Sequence, residues 1–168
     1  CTHLNTMVSG RRWIPSAIRP NYRRCGIKGI PPGFWTNMHS DTAFKGKSIL
    51  VTGHTGFKGS WLCLWLSELG AKIHGYSLPP STDPNHYTAA QIHELLVSER
   101  LGNICDKNAF TDYIHEVKPD CIFHLSAQPI VRRSYREPIE TFETNVMGSI
   151  YLMDALRTLT HPCSVVMV

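Results

Sequence analysis

The chain has 168 residues, 42% of them hydrophobic and 18% charged, with a formal net charge of +4, so it is long enough for about one domain with a real core. No apolar run approaches the roughly 18 residues that a membrane span requires. The charge is uneven: residues 1–43 carry +5, from Arg11, Arg12, Arg19, Arg23, Arg24 and Lys28 against Asp41, and the rest of the chain carries −1.

That basic segment reads poorly as a folded element. Pro15, Pro20, Pro31 and Pro32 with four glycines break any helical period, and the chain opens on Cys1 rather than on methionine. A disordered or non-native leader over residues 1–43 is expected, before a natural start at Met38, with a dinucleotide-binding domain over 44–168. An organelle transit peptide fits the arginines but not the prolines. An arm that binds nucleic acid or a membrane is the other reading, because Trp13, Tyr22 and Trp35 stand among the arginines.

The first strand is predicted at Ser48-Ile49-Leu50-Val51, a short aliphatic run suited to a buried parallel strand. It runs into Gly53-x-x-Gly56-x-x-Gly59. A P-loop would need its lysine after the last glycine, whereas Lys58 precedes Gly59. What remains is a respaced dinucleotide fingerprint: a glycine for the tight turn, one for close approach to a pyrophosphate and one for helix packing, with the anion on the helix N-terminus. Phe57, Trp61, Trp65 and Leu69, with Leu62 and Leu66 beside them, form an apolar stripe on the following helix, which ends at Gly70.

A second strand is predicted over 72–77, then a helix from the Ser81/Thr82/Asp83-Pro84 start signal to about Arg100, and a short third strand at Leu101–Ile104. A helix follows at Lys107–Val117, where Phe110, Tyr113, Ile114 and Val117 hold helical spacing, and a fourth strand at Asp120–Leu125. Ile139, Phe142, Val146, Ile150 and Met153 mark a long helix from about Glu137 to Leu159, and Ser164–Val168 starts a fifth strand. Strands alternating with helices give an α/β class: a Rossmann-type doubly wound parallel sheet, here truncated after its fifth strand.

Ligands of such sheets lie beyond the carboxyl ends of the strands. The second strand ends at Tyr76-Ser77-Leu78 without an Asp or Glu for the ribose hydroxyls or an Arg for a 2′-phosphate, so NAD and NADP both stay open there. Ser126 and Ala127, after the fourth strand, are small enough for a nicotinamide ribose or for tight packing. Lys58 would touch a bound pyrophosphate or stay solvated, and His54, a weaker candidate for that contact, would be packed or solvated. Arg132 and Arg133 could fork onto a diphosphate or stand solvated. The six cysteines, at 1, 25, 63, 105, 121 and 163, show no C-x-x-C, so free thiols are expected. Val97 stands where an H-E-x-x-H from His93 would need its second ligand, and no metal site is expected.

The strings "TGHTGFKGSWL", "GYSLPPSTDP", "HLSAQPIVRRSY" and "TNVMGSIYLMDALR" together resemble the extended short-chain dehydrogenase/reductase (NAD-dependent epimerase/dehydratase) family, in its nucleotide-sugar 4,6-dehydratase branch, from Phe44 to the end. The resemblance implies NAD as cofactor, with Gly53, Thr55, Gly56, Phe57, Lys58 and Gly59 along its pyrophosphate. It implies Asn103 and Ile104 at the adenine, Leu125, Ser126 and Ala127 on the nicotinamide side, and Gln128, Arg132 and Arg133 for the substrate, CDP-glucose. The family usually has aspartate where this chain has Asn103, whose side-chain oxygen can still accept from the adenine amino group.

The reaction so implied, a lyase reaction, moves a hydride from C4 of the sugar, takes the C5 proton, expels water from C6 and returns the hydride to C6. Its base in the family is a tyrosine with a lysine four residues on. None of Tyr22, Tyr76, Tyr87, Tyr113, Tyr135 and Tyr151 is followed by that lysine. An amino-terminal fragment is therefore expected, with no catalytic residue of its own and no activity alone, the Ser/Thr and Tyr-x-x-x-Lys lying beyond Val168. The alternatives are a non-catalytic dinucleotide-binding module and another nucleotide-sugar epimerase or dehydratase of the family. The resemblance also implies a cytoplasmic enzyme of lipopolysaccharide O-antigen biosynthesis, a homo-oligomer when full length, with no membrane or nucleic-acid partner.

Overall fold

The computed structural model describes residues 43–168, so the expectations for the basic leader lie outside the described residues. Five strands alternate with helices: β1 (Ser48–Thr52), α1 (Phe57–Glu68), β2 (Lys72–Ser77), α2 (His86–Ala89), β3 (Leu96–Leu101), α3 (Lys107–Val117), β4 (Cys121–His124), α4 (Val131–Arg136), α5 (Pro138–Phe142), α6 (Gly148–Arg157) and β5 (Ser164–Met167). Every pairing is parallel, in the order β3-β2-β1-β4-β5. The chain winds outward from β1 to β3, then crosses back to β4 on the other side of β1. All carboxyl ends thus share one edge, and the winding reverses between β1 and β4.

Side-chain alternation on β1 divides the core into two layers. Leu50 joins Tyr76 and Ile122 under Phe110, Tyr113 and Ile114 of α3 and Leu152 and Ala155 of α6. Ile49 and Val51 point the other way, with Ile73, onto Cys63 and Leu66 of α1 and onto Ile92. Full burial of each such aliphatic side chain is worth about 1.5–3 kcal/mol, which is why this doubly covered strand reads as an unbroken apolar run.

Two expectations are corrected. The helix over 84–100 does not form: α2 stops at Ala90, Gln91 takes a left-handed φ of 50°, a 3₁₀ turn follows at Ile92–Leu95, and β3 starts at Leu96, five residues before the expected strand. Its half-buried and exposed residues alternate, as an edge strand requires, and pairing with β2 outweighs the local helical preference.

Second, the aromatic stripe of α1 faces outward. Phe57 is 71% exposed, Trp61 42% and Trp65 58%, whereas Gly59, Ser60, Cys63 and Leu66 are buried. The cause is Gly59: a Cβ there would run into the carbonyl oxygen of Gly53 and lie 2.7 Å from both Gly53 C and His54 Cα. Only a bare glycine lets the helix come so close to the β1 turn, and that contact fixes the rotation of α1.

The expected long helix forms, after the separate α4: α5 reaches α6 through a π-helical turn, Glu143–Met147, with helical dihedrals at both junctions. Its stripe of Ile139, Phe142, Val146, Ile150 and Met153 is exposed. The far edge strand β5 leaves Val166, Met167 and Val168 exposed as well.

Candidate functional site

The turn between β1 and α1 is tightly specified. Gly53 has φ +74°, and a Cβ on it would sit 2.9 Å from the Ser126 nitrogen and 3.0 Å from the Leu125 carbonyl carbon, so only glycine lets β1 meet the loop after β4 this closely. Gly53 N–H donates to Tyr76 O, Gly56 N–H to Gly53 O and Ser60 N–H to Gly56 O. Thr55 Oγ1 donates to Leu78 O and shares a 2.8 Å hydrogen bond with Ser77 Oγ, tying the turn to the end of β2. His54 is fully buried.

What the turn leaves open is the start of α1. Gly56, the N-cap residue, supplies no side-chain cap, and no acidic residue stands in the first turn. The first N–H groups of the helix therefore point outward with the positive end of its dipole. Gly56, Phe57 and Lys58 are exposed there, and Lys58 makes no ion pair among the described residues. The structure thus brings Gly53, Thr55, Gly56, Phe57, Lys58 and Gly59 together with Leu125, Ser126 and Ala127 at the point where the winding reverses.

A polar chain that begins at buried Thr52 and His124 and runs out to exposed Asn145 lies beneath that crevice. Thr52 Oγ1 accepts from the N–H groups of both Leu125 and Ser126, each at 3.2 Å, so its one proton goes to His124 Nδ1 at 2.9 Å. His124 then carries its own proton on Nε2, facing Ser149 Oγ at 3.5 Å, while Ser149 Oγ donates to Asn145 O. Burial holds the His124 pKa below its ordinary value, which keeps the ring neutral as this chain of donors needs. Asn145, on the π turn, accepts from Gln128 N–H and donates back to Gln128 O.

The remaining expected residues are spread along the same edge. Asn103 follows β3, but its Oδ1 accepts from Cys105 N–H, so the oxygen expected to meet an adenine closes its own turn. Ile104 is buried in the core and packs on Gly148, where a Cβ would collide with the Ile104 side chain. Gln128 is spent internally too: Nε2 donates to Thr141 Oγ1 and Oε1 accepts from Ile130 N–H. On α4, Arg133 is held by Glu140 through two hydrogen bonds of 3.2 and 2.6 Å. Arg132 makes no ion pair among the described residues and lines a groove with Ile130, Arg136 and Glu137.

Thr52, His124, Asn145 and Ser149 escaped the sequence reading. For His124 a signal existed, since it stands at the carboxyl end of β4 where this fold places chemistry; for Asn145 there was none, because a π turn leaves no spacing mark. The four described cysteines, Cys63, Cys105, Cys121 and Cys163, are free thiols, and burial pushes the Cys63 thiol up to about 12, so it is inert at neutral pH. No helix among the described residues is long and apolar enough to cross a membrane.

Residues 50–168 match the family model described as GDP-mannose 4,6 dehydratase. The chain is 45% identical to CDP-glucose 4,6-dehydratase of Salmonella typhimurium over 73% of its own length and 34% of the relative's. It is 33% identical to GDP-mannose 4,6-dehydratase of Vibrio cholerae over 67% of its length and 32% of that enzyme's. Among solved structures, UDP-glucose 4-epimerase from Brucella ovis in complex with NAD superposes with a TM-score of 0.59 at 25% identity, over 73% of this chain and 35% of that one. An epimerase from Methanothermobacter thermautotrophicus shares the fold, with a TM-score of 0.66 at 22% identity over 82% of this chain and 39% of that one. The chain spans about a third of the length of the curated relatives it matches.

Proposed function

The chain belongs to the GDP-mannose 4,6-dehydratase family, and from that premise we propose that it supplies the NAD-binding part of a nucleotide-sugar 4,6-dehydratase that acts on CDP-glucose. The substrate reading is supported by the 45% identity to the Salmonella CDP-glucose enzyme. The cofactor reading is supported by the NAD complex of the Brucella epimerase, which shares this fold.

The observation that carries the proposal is the uncapped start of α1 beside a glycine turn, at the reversal point between β1 and β4. The residues present fit a dinucleotide. Gly56 has nothing but Gly53 O, at 3.2 Å, near the place of a Cβ, so a diphosphate can approach its bare backbone. The N–H groups of the first turn and the Lys58 ammonium would hold that anion. Small Ser126 and Ala127 would leave room on the nicotinamide side, and Arg132 would be free for the substrate's phosphates while Arg133 would have to leave Glu140. NAD, when bound, accepts a hydride from the sugar and returns it. These residues bind and orient; with no Tyr-x-x-x-Lys in the chain, we assign the base to a part of the protein outside these 168 residues.

Calorimetric titration tests the reading. Saturable NAD binding is expected in the intact protein, and it should vanish in a folded Gly56→Val variant, whose side chain would occupy the approach to the backbone. Absence of binding at millimolar NAD, or wild-type affinity in Gly56→Val, would refute it. We further propose that the exposed stripe from Ile139 to Met153 is covered by a second copy of the protein; sedimentation of a Phe142→Glu variant should show a lighter species than wild type, and an unchanged one would overturn this. We also propose a cytoplasmic place in O-antigen assembly, which the resemblance supports, and the four described cysteines, all free, suit a reducing compartment.

A further inference from the structure

The side chain of His54, fully buried, turns from the crevice toward β2. Its ring lies over β2 at Gly75, where a Cβ would stand 2.8 Å from the ring atoms Cδ2, Cε1 and Nδ1. Gly75 pairs in register with Glu99 of β3, so the space a side chain would fill becomes a passage across β2 to the next strand. Through it His54 Nε2 comes within 2.5 Å of Glu99 Oε1. That same oxygen accepts from the Tyr87 hydroxyl at 2.7 Å, and the Tyr87 ring meets the His54 ring edge-on, with centroids 5.8 Å apart.

The main chain of His54 is equally engaged. Its carbonyl accepts from Ser60 Oγ, and Gly59 of α1 rests against its Cα. A shift of the ring would therefore move the backbone joining Gly53 to Gly56 and the first turn of α1 with it. Among the described residues, Glu99 is the one charged group acting on that ring. Burial favours the neutral imidazole, which donates its Nε2 proton to the carboxylate. The residues recruited have no place in the crevice: Tyr87 is on α2 and Glu99 on the edge strand, away from the reversal point.

We propose that Glu99 and Tyr87 are positioning residues for dinucleotide binding, acting through His54 to hold the Gly53–Gly56 turn in its anion-binding geometry. The inference rests on the assignment of that turn to the pyrophosphate. A buried imidazole N–H deprived of its acceptor pays a desolvation penalty, and movement of the turn would relieve it.

The test compares Glu99→Leu, Glu99→Gln and Tyr87→Phe in the intact protein by NAD titration and by amide hydrogen exchange. Glu99→Leu should weaken NAD binding by about tenfold or more, with faster exchange confined to residues 53–60. Glu99→Gln keeps an acceptor for both donors and should restore both readouts. Tyr87→Phe, which removes a single hydroxyl, should shift both in the same direction by less, and it decides the matter should Glu99→Leu not fold. Wild-type affinity in Glu99→Leu, exchange raised evenly across the whole sheet, or failure of Glu99→Gln to restore binding would overturn the proposal. If wild type binds no NAD, the pyrophosphate assignment fails, whereas exchange over 53–60 still reports whether Glu99 holds the turn.

Discussion

Gly56 and Gly59 differ by three positions and have different surroundings, so, if the proposed function holds, substituting alanine at each should split stability from binding. At Gly59 an added Cβ meets the Gly53 carbonyl group and His54 Cα, the latter at 2.7 Å, and all of these are backbone atoms that cannot rotate away. Overpacking of this kind costs about 1–3 kcal/mol and more against rigid backbone, while alanine in a helix returns about 1 kcal/mol relative to glycine. The net loss should be about 2 kcal/mol, a fall in Tm of about 6–10 °C for a domain of this size. Gly56 sits at φ −74° and ψ 167°, a backbone open to any residue, with one contact of 3.2 Å. Its alanine variant should stay within about 1 kcal/mol of wild type yet lose NAD affinity, because the methyl group stands where the diphosphate must approach. Melts followed by circular dichroism, paired with calorimetric NAD titration, give both numbers. A Gly59→Ala variant as stable as wild type, or a Gly56→Ala variant that melts early and binds normally, would reverse the two roles and refute the reasoning.

Two other outcomes are expected. His54, His74 and His124 all have pKa values held below the ordinary 6.5, chiefly by burial, so the folded chain binds fewer protons than the unfolded one. Their stabilising contribution is whole above pH 6.5 and is lost as pH falls toward the folded values, at up to about 1.4 kcal/mol per pH unit for each buried ring and less for the half-buried His74. Urea midpoints should drop between pH 7 and 5.5, and a flat profile would remove this account of the buried rings. Thr52→Val keeps the side-chain volume but strips the acceptor from Ser126 N–H and the donor from His124, while Leu125 N–H keeps the Thr52 carbonyl. It should cost about 1–3 kcal/mol, read as a lower urea midpoint with an unchanged slope; a neutral substitution would mean that the network contributes nothing.

The strand, turn and helix from Ser48 to Glu68 were legible because their signals are local: an aliphatic run, glycines three apart, and the positive φ that Gly53 adopts. The parallel, doubly wound class followed from alternation and handedness, whereas the order β3-β2-β1-β4-β5 comes from the strand pairings of the structure. β3 was not legible, since an edge strand shows only a weak half-buried alternation and Leu96–Leu101 owes its conformation to β2, about 25 residues upstream. The same locality explains the candidate site. Glycines and small residues announce a crevice, but Thr52 with His124 and His54 with Glu99 are joined across 72 and 45 positions, and no spacing rule reaches so far.

The face of α1 shows where amphipathic reasoning stops. Phe57, Trp61 and Trp65 repeat at helical spacing as Ile139, Phe142 and Val146 do, and both stripes are exposed. Periodicity says that a face gains by being covered; it does not say what covers it. On α1 that question was settled by the smallest side chains, because Gly59, Ser60 and Cys63 permit an approach to β1 that no aromatic residue could make. Where a helix must deliver its first turn to an anion, closeness to the sheet outranks apolar area. The turn whose Gly56 would bare its backbone to a diphosphate thus runs, three residues on, into Gly59, the glycine that turned the tryptophans outward.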